Sequence, residues 1–308
     1  SITIFKGVNN MNLNSRTKGI LLVIVGTMLW GISGTVAQFL FQQKGFDTEW
    51  LVVVRLLISG FLLLLYGYIK KDKNIINIWK SKEDSIKLIL FGAIGMLGVQ
   101  YTYFAAIKHG NAATATILQY LSPVIITCYL IIRNKKLPNI KQLIAIGLAL
   151  IGTFFIITGG NIHSLSLSHL ALFWGICSAF CSAIYTLQPV NLLKKYSSIS
   201  VVGWGMVIGG LAFSFIHSPF DFSGELSFIT IISSAFIVIF GTLIAFYCYL
   251  ESLKYLVPTE ASILGCIEPL SATILSVIWL NVHFGIAEFI GTTCIILTVI
   301  ILSFSKEK

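Results

Sequence analysis

The sequence predicts an all-α membrane protein, with ten transmembrane helices arranged as two inverted five-helix repeats. Three observations predict it. Apolar residues come in runs of about 18 or more, long enough to cross the hydrocarbon core of a bilayer. Basic residues gather on alternate sides of those runs, and one stretch of chain recurs 146 positions later.

Composition sets the class. Of 308 residues, 56% are hydrophobic and 11% are charged, and the mean hydropathy is +0.90. A soluble domain of this size needs far more charge to cover its surface, so soluble globular folds are excluded. A transmembrane β-barrel would show alternating segments of about ten residues, which leaves helices. The net charge of +9 would suggest a nucleic-acid partner in a soluble protein. Here the basic residues lie between apolar runs, so the expected partner is the lipid bilayer and no nucleic acid. Ser1 to Lys18 is polar and has no secretory signal. Ser1 is not an initiator, so Met11 is a candidate start and residues 1–10 read as an appended segment.

The ten spans are expected at about 19–41, 49–69, 86–107, 111–132, 141–158, 167–189, 199–217, 228–250, 259–280 and 285–304. Between them, 18 of the 21 basic residues fall on one side, among them Arg16, Lys70, Lys82, Arg133, Lys195 and Lys254. The other side holds Lys44 and Lys108 beside Asp47, Glu49, Asp221 and Glu225, and Arg55 lies inside span 2. The positive-inside rule then puts both termini in the cytoplasm, with the chain multi-pass in the cytoplasmic (inner) membrane.

The repeat aligns residues 95–123 with 241–269 without a gap, with nine identities in 29 positions. Gly95, Tyr101, Tyr103, Lys108 and Pro123 fall on Gly241, Tyr247, Tyr249, Lys254 and Pro269; after a two-residue slip, Gly147 falls on Gly291. The expected units are a tail over 1–17, a first five-helix repeat over 18–160, and a second over 161–308 with a short terminal tail. Five is odd, so the second repeat enters the membrane from the opposite side. Two such halves can exchange conformations and open a central site to each side in turn.

The chain at this point resembles the drug/metabolite transporter superfamily, in particular its EamA-type ten-helix members. The resemblance rests on Trp30-Gly31 in span 1, Arg55 early in span 2, and the proline-centred segments of spans 4 and 9, including Glu268-Pro269. The closing helices "IGLALIGTFFI" and "IGTTCIILTVI" add to it. It covers the chain from about residue 18. Where family members often carry Glu after spans 4 and 9, this chain reads Arg133-Asn134-Lys135-Lys136 and Asn281-Val282-His283. The resemblance implies alternating-access movement of an amino acid or related amine, proton-coupled or facilitated. It places spans 1–4 and 6–9 around a central cavity.

Charges inside hydrocarbon are costly and mark functional sites by default. Glu268 lies about 18 Å below the outer end of span 9 and Arg55 about 9 Å below that of span 2. Glu268 reads as a substrate-amine or coupling-proton site, or as a structural acceptor for a neighbouring helix. Arg55 reads as a carboxylate clamp, or as a snorkelling or bracing residue. Glu288, within a turn of the outer end of span 10, reaches the interface. Small or polar stripes mark span 1 (Trp30, Ser33, Gly34, Ala37, Gln38) and span 6 (Trp174, Cys177, Ser178, Cys181, Ser182, Tyr185). These serve either close helix packing or a cavity wall. Gln100, Tyr101 and Tyr103 of span 3, Gln119 and Tyr120 of span 4, and Tyr247 of span 8 complete the candidate substrate-binding set, and span 8 also offers Tyr249. Gly92, Gly95 and Gly98 read as a packing face or bending point.

No catalytic motif accompanies these residues. The scattered histidines and the six cysteines within apolar runs make no metal set. The expectation is a transporter of a small molecule, not an enzyme, without cofactor apart from coupling protons, and monomeric or homodimeric. A passive channel and a membrane-embedded enzyme or lipid-handling protein are the alternatives.

Overall fold

The computed structural model describes residues 13–135, 139–159, 167–252, 255–256, 264–265 and 267–303. Lys136, His163, Lys254, Cys266 and the expected start of span 9 lie outside the described residues. Among the described residues the chain is helical throughout and carries no strand. The main helices are α1 (Leu13–Gln43), α2 (Thr48–Ile69), α3 (Lys82–His109) and α4, which is broken into Ala112–Gln119 and Ser122–Asn134. They continue as α5 (Ile140–Thr158), α6 (His169–Leu187), α7 (Ser198–Ser214) and α8, composed of Phe228–Val238, Ile239–Ile244 and Ala245–Ser252. The last two are α9 (Ile267–Leu280) and α10 (Ile286–Ser303).

Six segments are long and apolar enough to cross a membrane, and they correspond to α1, α2, α3, α4, α6 and α8. The rest, α5, α7, α9 and α10, contain shorter apolar helices. The protein is therefore a helical membrane protein with several spans.

Local chemistry fixes the breaks. Pro123, which has no N–H to donate, sits at the start of the second piece of α4, and Tyr120 and Leu121 close the first piece with tight turns to Thr116, Ile117 and Leu118. Two π-helical turns, Phe91–Met96 in α3 and Ile239–Ile244 in α8, carry Gly95 and Gly241, the glycines paired by the repeat. The glycine series of α3 thus both bends and packs: Gly92 lies against Ile208, and Gly98 against Cys181.

Helix neighbours follow one rule. The principal partners of α1 are α8 and α9; those of α6 are α3 and α4; α2 pairs with α7, and α5 with α10. Adding five to each label, and wrapping past ten, maps this network onto itself. The senses are equally regular. In α2 and α7, Gly60 and Gly67 face Met206 and Ile199, while Gly203 and Gly210 face Leu64 and Leu57, so the pair is antiparallel. Gly152 meets Gly291, and Thr298 Oγ1 donates to the Ala145 carbonyl at 3.1 Å, so α5 and α10 are antiparallel too. By contrast α1 and α9 run parallel, from Gly31 against Glu268 to Phe39 stacked on Trp279. Interfaces built on small residues let backbones approach closely where lipid offers no hydrophobic driving force.

Each end of the bundle is tied by a comparable set of bonds. At one end Lys44 pairs with Glu225 at 2.9 Å, and the Trp50 indole donates to the Pro219 carbonyl at 2.9 Å. Asp47 there meets Lys108 at 3.6 Å and His217 at 3.5 Å. At the other end Lys195 pairs with Asp84 at 3.0 Å, and the Trp204 indole donates to the Ile75 carbonyl at 2.9 Å. Ser197 bonds Asp72 at that end, and the Tyr196 hydroxyl donates to Asp84 at 2.9 Å. Burial pushes the Asp47 carboxyl up, helped by its bond to Glu49, while Lys108 and His217 pull the other way. Burial beside Asp84 likewise raises the Tyr196 phenol.

Candidate substrate site

Arg55 is 4% exposed, in the interior of α2. Its Nε donates to Thr242 Oγ1 at 2.7 Å, in the π turn of α8. Thr242 in turn donates to the Ile237 carbonyl, five residues back, at 2.9 Å. That reach fits the wider π turn. Ser59, one turn beyond Arg55, donates to the Val238 carbonyl at 3.0 Å and ties α2 to the same region. The Phe104 ring covers one face of the guanidinium at 4.6 Å. Nη1 is buried and has no hydrogen-bond partner among the described residues.

Glu268 lies in the first turn of α9 and is 9% exposed. The Tyr120 hydroxyl, at the break in α4, is 3.2 Å from Glu268 Oε2 and 2.7 Å from the Gly265 carbonyl. The backbone of Glu268 is seated against α1, where Gly31 leaves just enough room. A Cβ on Gly31 would stand 2.5 Å from the Glu268 carbonyl oxygen and 2.0 Å from Ser271 Oγ.

Tyr103 completes the cluster. Thr116 donates to the Ala112 carbonyl at 2.8 Å, so the Tyr103 hydroxyl is the donor in its 2.8 Å contact with Thr116 Oγ1. Arg55, Tyr103 and Tyr249 all interact electrostatically with Glu268. No ion pair within 4.0 Å joins Arg55 to Glu268 among the described residues. The guanidinium and the carboxyl group are thus both buried and interact without an ion pair.

The remaining candidates separate by neighbourhood. Trp30 packs on Phe246 at 5.0 Å and on Tyr249 at 5.2 Å, at the edge of the cluster. Tyr185 stacks on Phe91 at 5.5 Å and interacts with Tyr249. Gln119 donates to Ser178 at 2.8 Å, joining α4 to α6. Gln100 is buried, 6% exposed, and shares a helix face with Tyr103. Tyr101 donates to Glu49 at 3.1 Å and packs edge-on against Trp174, at the Lys44 end. Gln38 spends its amide on structure: its oxygen accepts from the Ala112 N–H at 2.8 Å and its nitrogen donates to Gln42 at 3.1 Å. Tyr247 is 36% exposed and packs against Tyr66, away from Glu268. Glu288 accepts from the Gly285 N–H at 3.0 Å, at the start of α10.

Tyr249, Thr242, Phe104 and Thr116 are the members of this neighbourhood outside the expected binding set. The repeat held the clue to the first. Tyr103 and Tyr249 are mates in the alignment, as are Tyr101 and Tyr247, so the inward tyrosine of one half identifies that of the other. Among the described residues no group of three or more His, Cys, Asp or Glu side chains converges as a metal site.

The EamA-like transporter family matches this chain twice, over residues 17–158 and again over 169–304. The chain belongs to that family. An uncharacterized inner membrane transporter of Salmonella typhimurium, YicL, is 39% identical over 300 residues, covering 96% of this chain and 98% of the relative. The uncharacterized transporter YwfM of Bacillus subtilis is 23% identical, with 94% of each chain covered. A protein of known crystal structure superposes with a TM-score of 0.63 at 17% identity, covering 92% of this chain and 96% of that one, a likeness of fold. The family points to transport rather than catalysis.

Proposed function

We propose that this EamA-family protein moves a small metabolite, an amino acid or a related amine, across the cytoplasmic membrane by alternating access. The observation that carries the reading is the buried, separated pair Arg55 and Glu268, on helices of opposite halves. Buried charges of this kind are expensive unless a function keeps them.

The mechanism draws on the packing senses. Self-paired helices related by an axis along the membrane normal would run parallel. The antiparallel α2–α7 and α5–α10 pairs support an axis in the membrane plane, and hence ten crossings with inverted halves. The distribution of basic residues supports cytoplasmic termini, with the Lys44–Glu225 end outside and the Asp84–Lys195 end inside. On this reading the two tied ends open in turn, and Glu268 meets the substrate amine or carries a coupling proton. Trp30, Tyr103, Tyr120, Tyr185 and Tyr249 supply flat faces and phenol hydroxyls around it.

The test needs no known substrate. In a variant stripped of native cysteines and bearing Tyr120→Cys, a membrane-impermeant maleimide should label the thiol from either face of oriented vesicles. Labelling from one face alone, under every condition, would refute alternating access.

A further inference from the structure

We infer that Arg55 is the specificity-determining residue of this site: it takes a single carboxylate on the transported molecule, so amines lacking one are rejected. The inference rests on the reading of the Arg55–Glu268 cluster as the substrate site, and narrows it from amino acids or amines to carboxylate-bearing ones.

Four features lead there. The guanidinium is buried yet incompletely bonded: Nε is used by Thr242, while Nη1 has no partner among the described residues. A buried donor left unmade is costly, and more so on a charged group. One face is covered by Phe104 and Nε is taken by Thr242, and the edge bearing the two Nη atoms is the side that suits an incoming group. That edge offers two parallel N–H donors, the fork that matches a carboxylate.

The acidic side chain that interacts with Arg55, Glu268, does not bond to its guanidinium. It is beyond ion-pair distance and spends an oxygen on Tyr120. A molecule with a carboxylate at Arg55 and an ammonium toward Glu268 would complete both. A phosphate fits less well, because its second charge would meet one arginine and a nearby carboxylate with no further cation among the described site residues.

Symmetry gives the fourth feature. The contacts of α2 and α7 exchange under the same 146-residue offset: Leu57 with Gly210 maps onto Gly203 with Leu64. At that offset Arg55 falls on buried Val201 and Glu268 on Ser122. Both charges therefore break the repeat, which scaffolding by two like halves does not require.

The experiment is thermal unfolding of the purified full-length protein with three matched probe sets: common amino acids, their carboxyl methyl esters, and the corresponding decarboxylated amines. Phosphoethanolamine serves as a phosphate arm. At least one amino acid should raise the unfolding midpoint while its ester, its amine and phosphoethanolamine do not. Arg55→Lys, which keeps the buried charge but loses the fork, should weaken half-saturation by about 10-fold or more; Arg55→Gln should abolish the shift. Equal stabilisation by ester or amine, stabilisation by phosphoethanolamine instead, or an Arg55→Lys protein that binds like the parent would each overturn the inference. Stabilisation by amines alone would overturn it and leave the transport reading standing. Stabilisation by no probe would overturn both. If Arg55→Gln fails to fold, the Lys variant decides.

Discussion

Gly31→Ala should loosen the seat of Glu268. The added Cβ would lie 2.0 Å from Ser271 Oγ, 2.5 Å from the Glu268 carbonyl oxygen and 3.0 Å from the Ala272 nitrogen. The serine can rotate, at the loss of its 2.8 Å bond to that carbonyl. The backbone cannot. Reaching ordinary contact requires α1 and α9 to part by about 0.9 Å, and overpacking of this kind costs about 1–3 kcal/mol. Alanine returns about 1 kcal/mol of helix propensity, so the net loss is about 0–2 kcal/mol, and about 1–3 kcal/mol relative to an unhindered Gly→Ala change. Gly147→Ala is the control, because its Cβ meets nothing within 4 Å and should be neutral or slightly stabilising. Unfolding in mixed micelles with increasing denaturing detergent measures both. Ser271→Ala added to Gly31→Ala should recover part of the loss, since only the side-chain clash is relieved. A Gly31→Ala protein as stable as Gly147→Ala would refute the close α1–α9 seating.

Two further outcomes test the placement of side chains. Tyr249→Phe should weaken transport of an amino acid that binds, measured as proteoliposome exchange, while Tyr247→Phe should leave it near the parent level, because only Tyr249 interacts with Glu268. Gln38→Ala should destabilise by about 1–2 kcal/mol in the same detergent titration, because the Ala112 N–H at the start of α4 loses its buried acceptor.

Much of the architecture was legible in the chain. Apolar runs located the helices, and Gly92, read as part of a packing face, lies where two helices approach closely. The repeat anticipated the paired π turns only in part. It aligned Gly95 with Gly241, yet a π turn leaves no periodicity a sequence reading detects. The candidate site was legible as a set of residue types and not as a set of partners. Arg55 and Glu268 are 213 positions apart, and nothing local announces that they are near yet unpaired. Gln38 shows the same gap: its amide suits a cavity wall or a helix cap equally, and the partner it caps is 74 residues away. Tyr247 and Tyr249, two apart on one helix, point to different sides, so choosing between them needed the position of Glu268.

Glu268 carries the central claim, and Glu268→Gln tests it. Glutamine keeps the shape and hydrogen bonding of the side chain but cannot ionise. Proteoliposomes with an imposed pH gradient and a labelled mixture of amino acids should accumulate label with the parent protein and fail to do so with the folded Gln variant. Residual exchange without a gradient would assign Glu268 the coupling proton, and loss of binding would assign it the substrate amine. Unchanged accumulation by a folded Glu268→Gln protein at every pH would contradict the account.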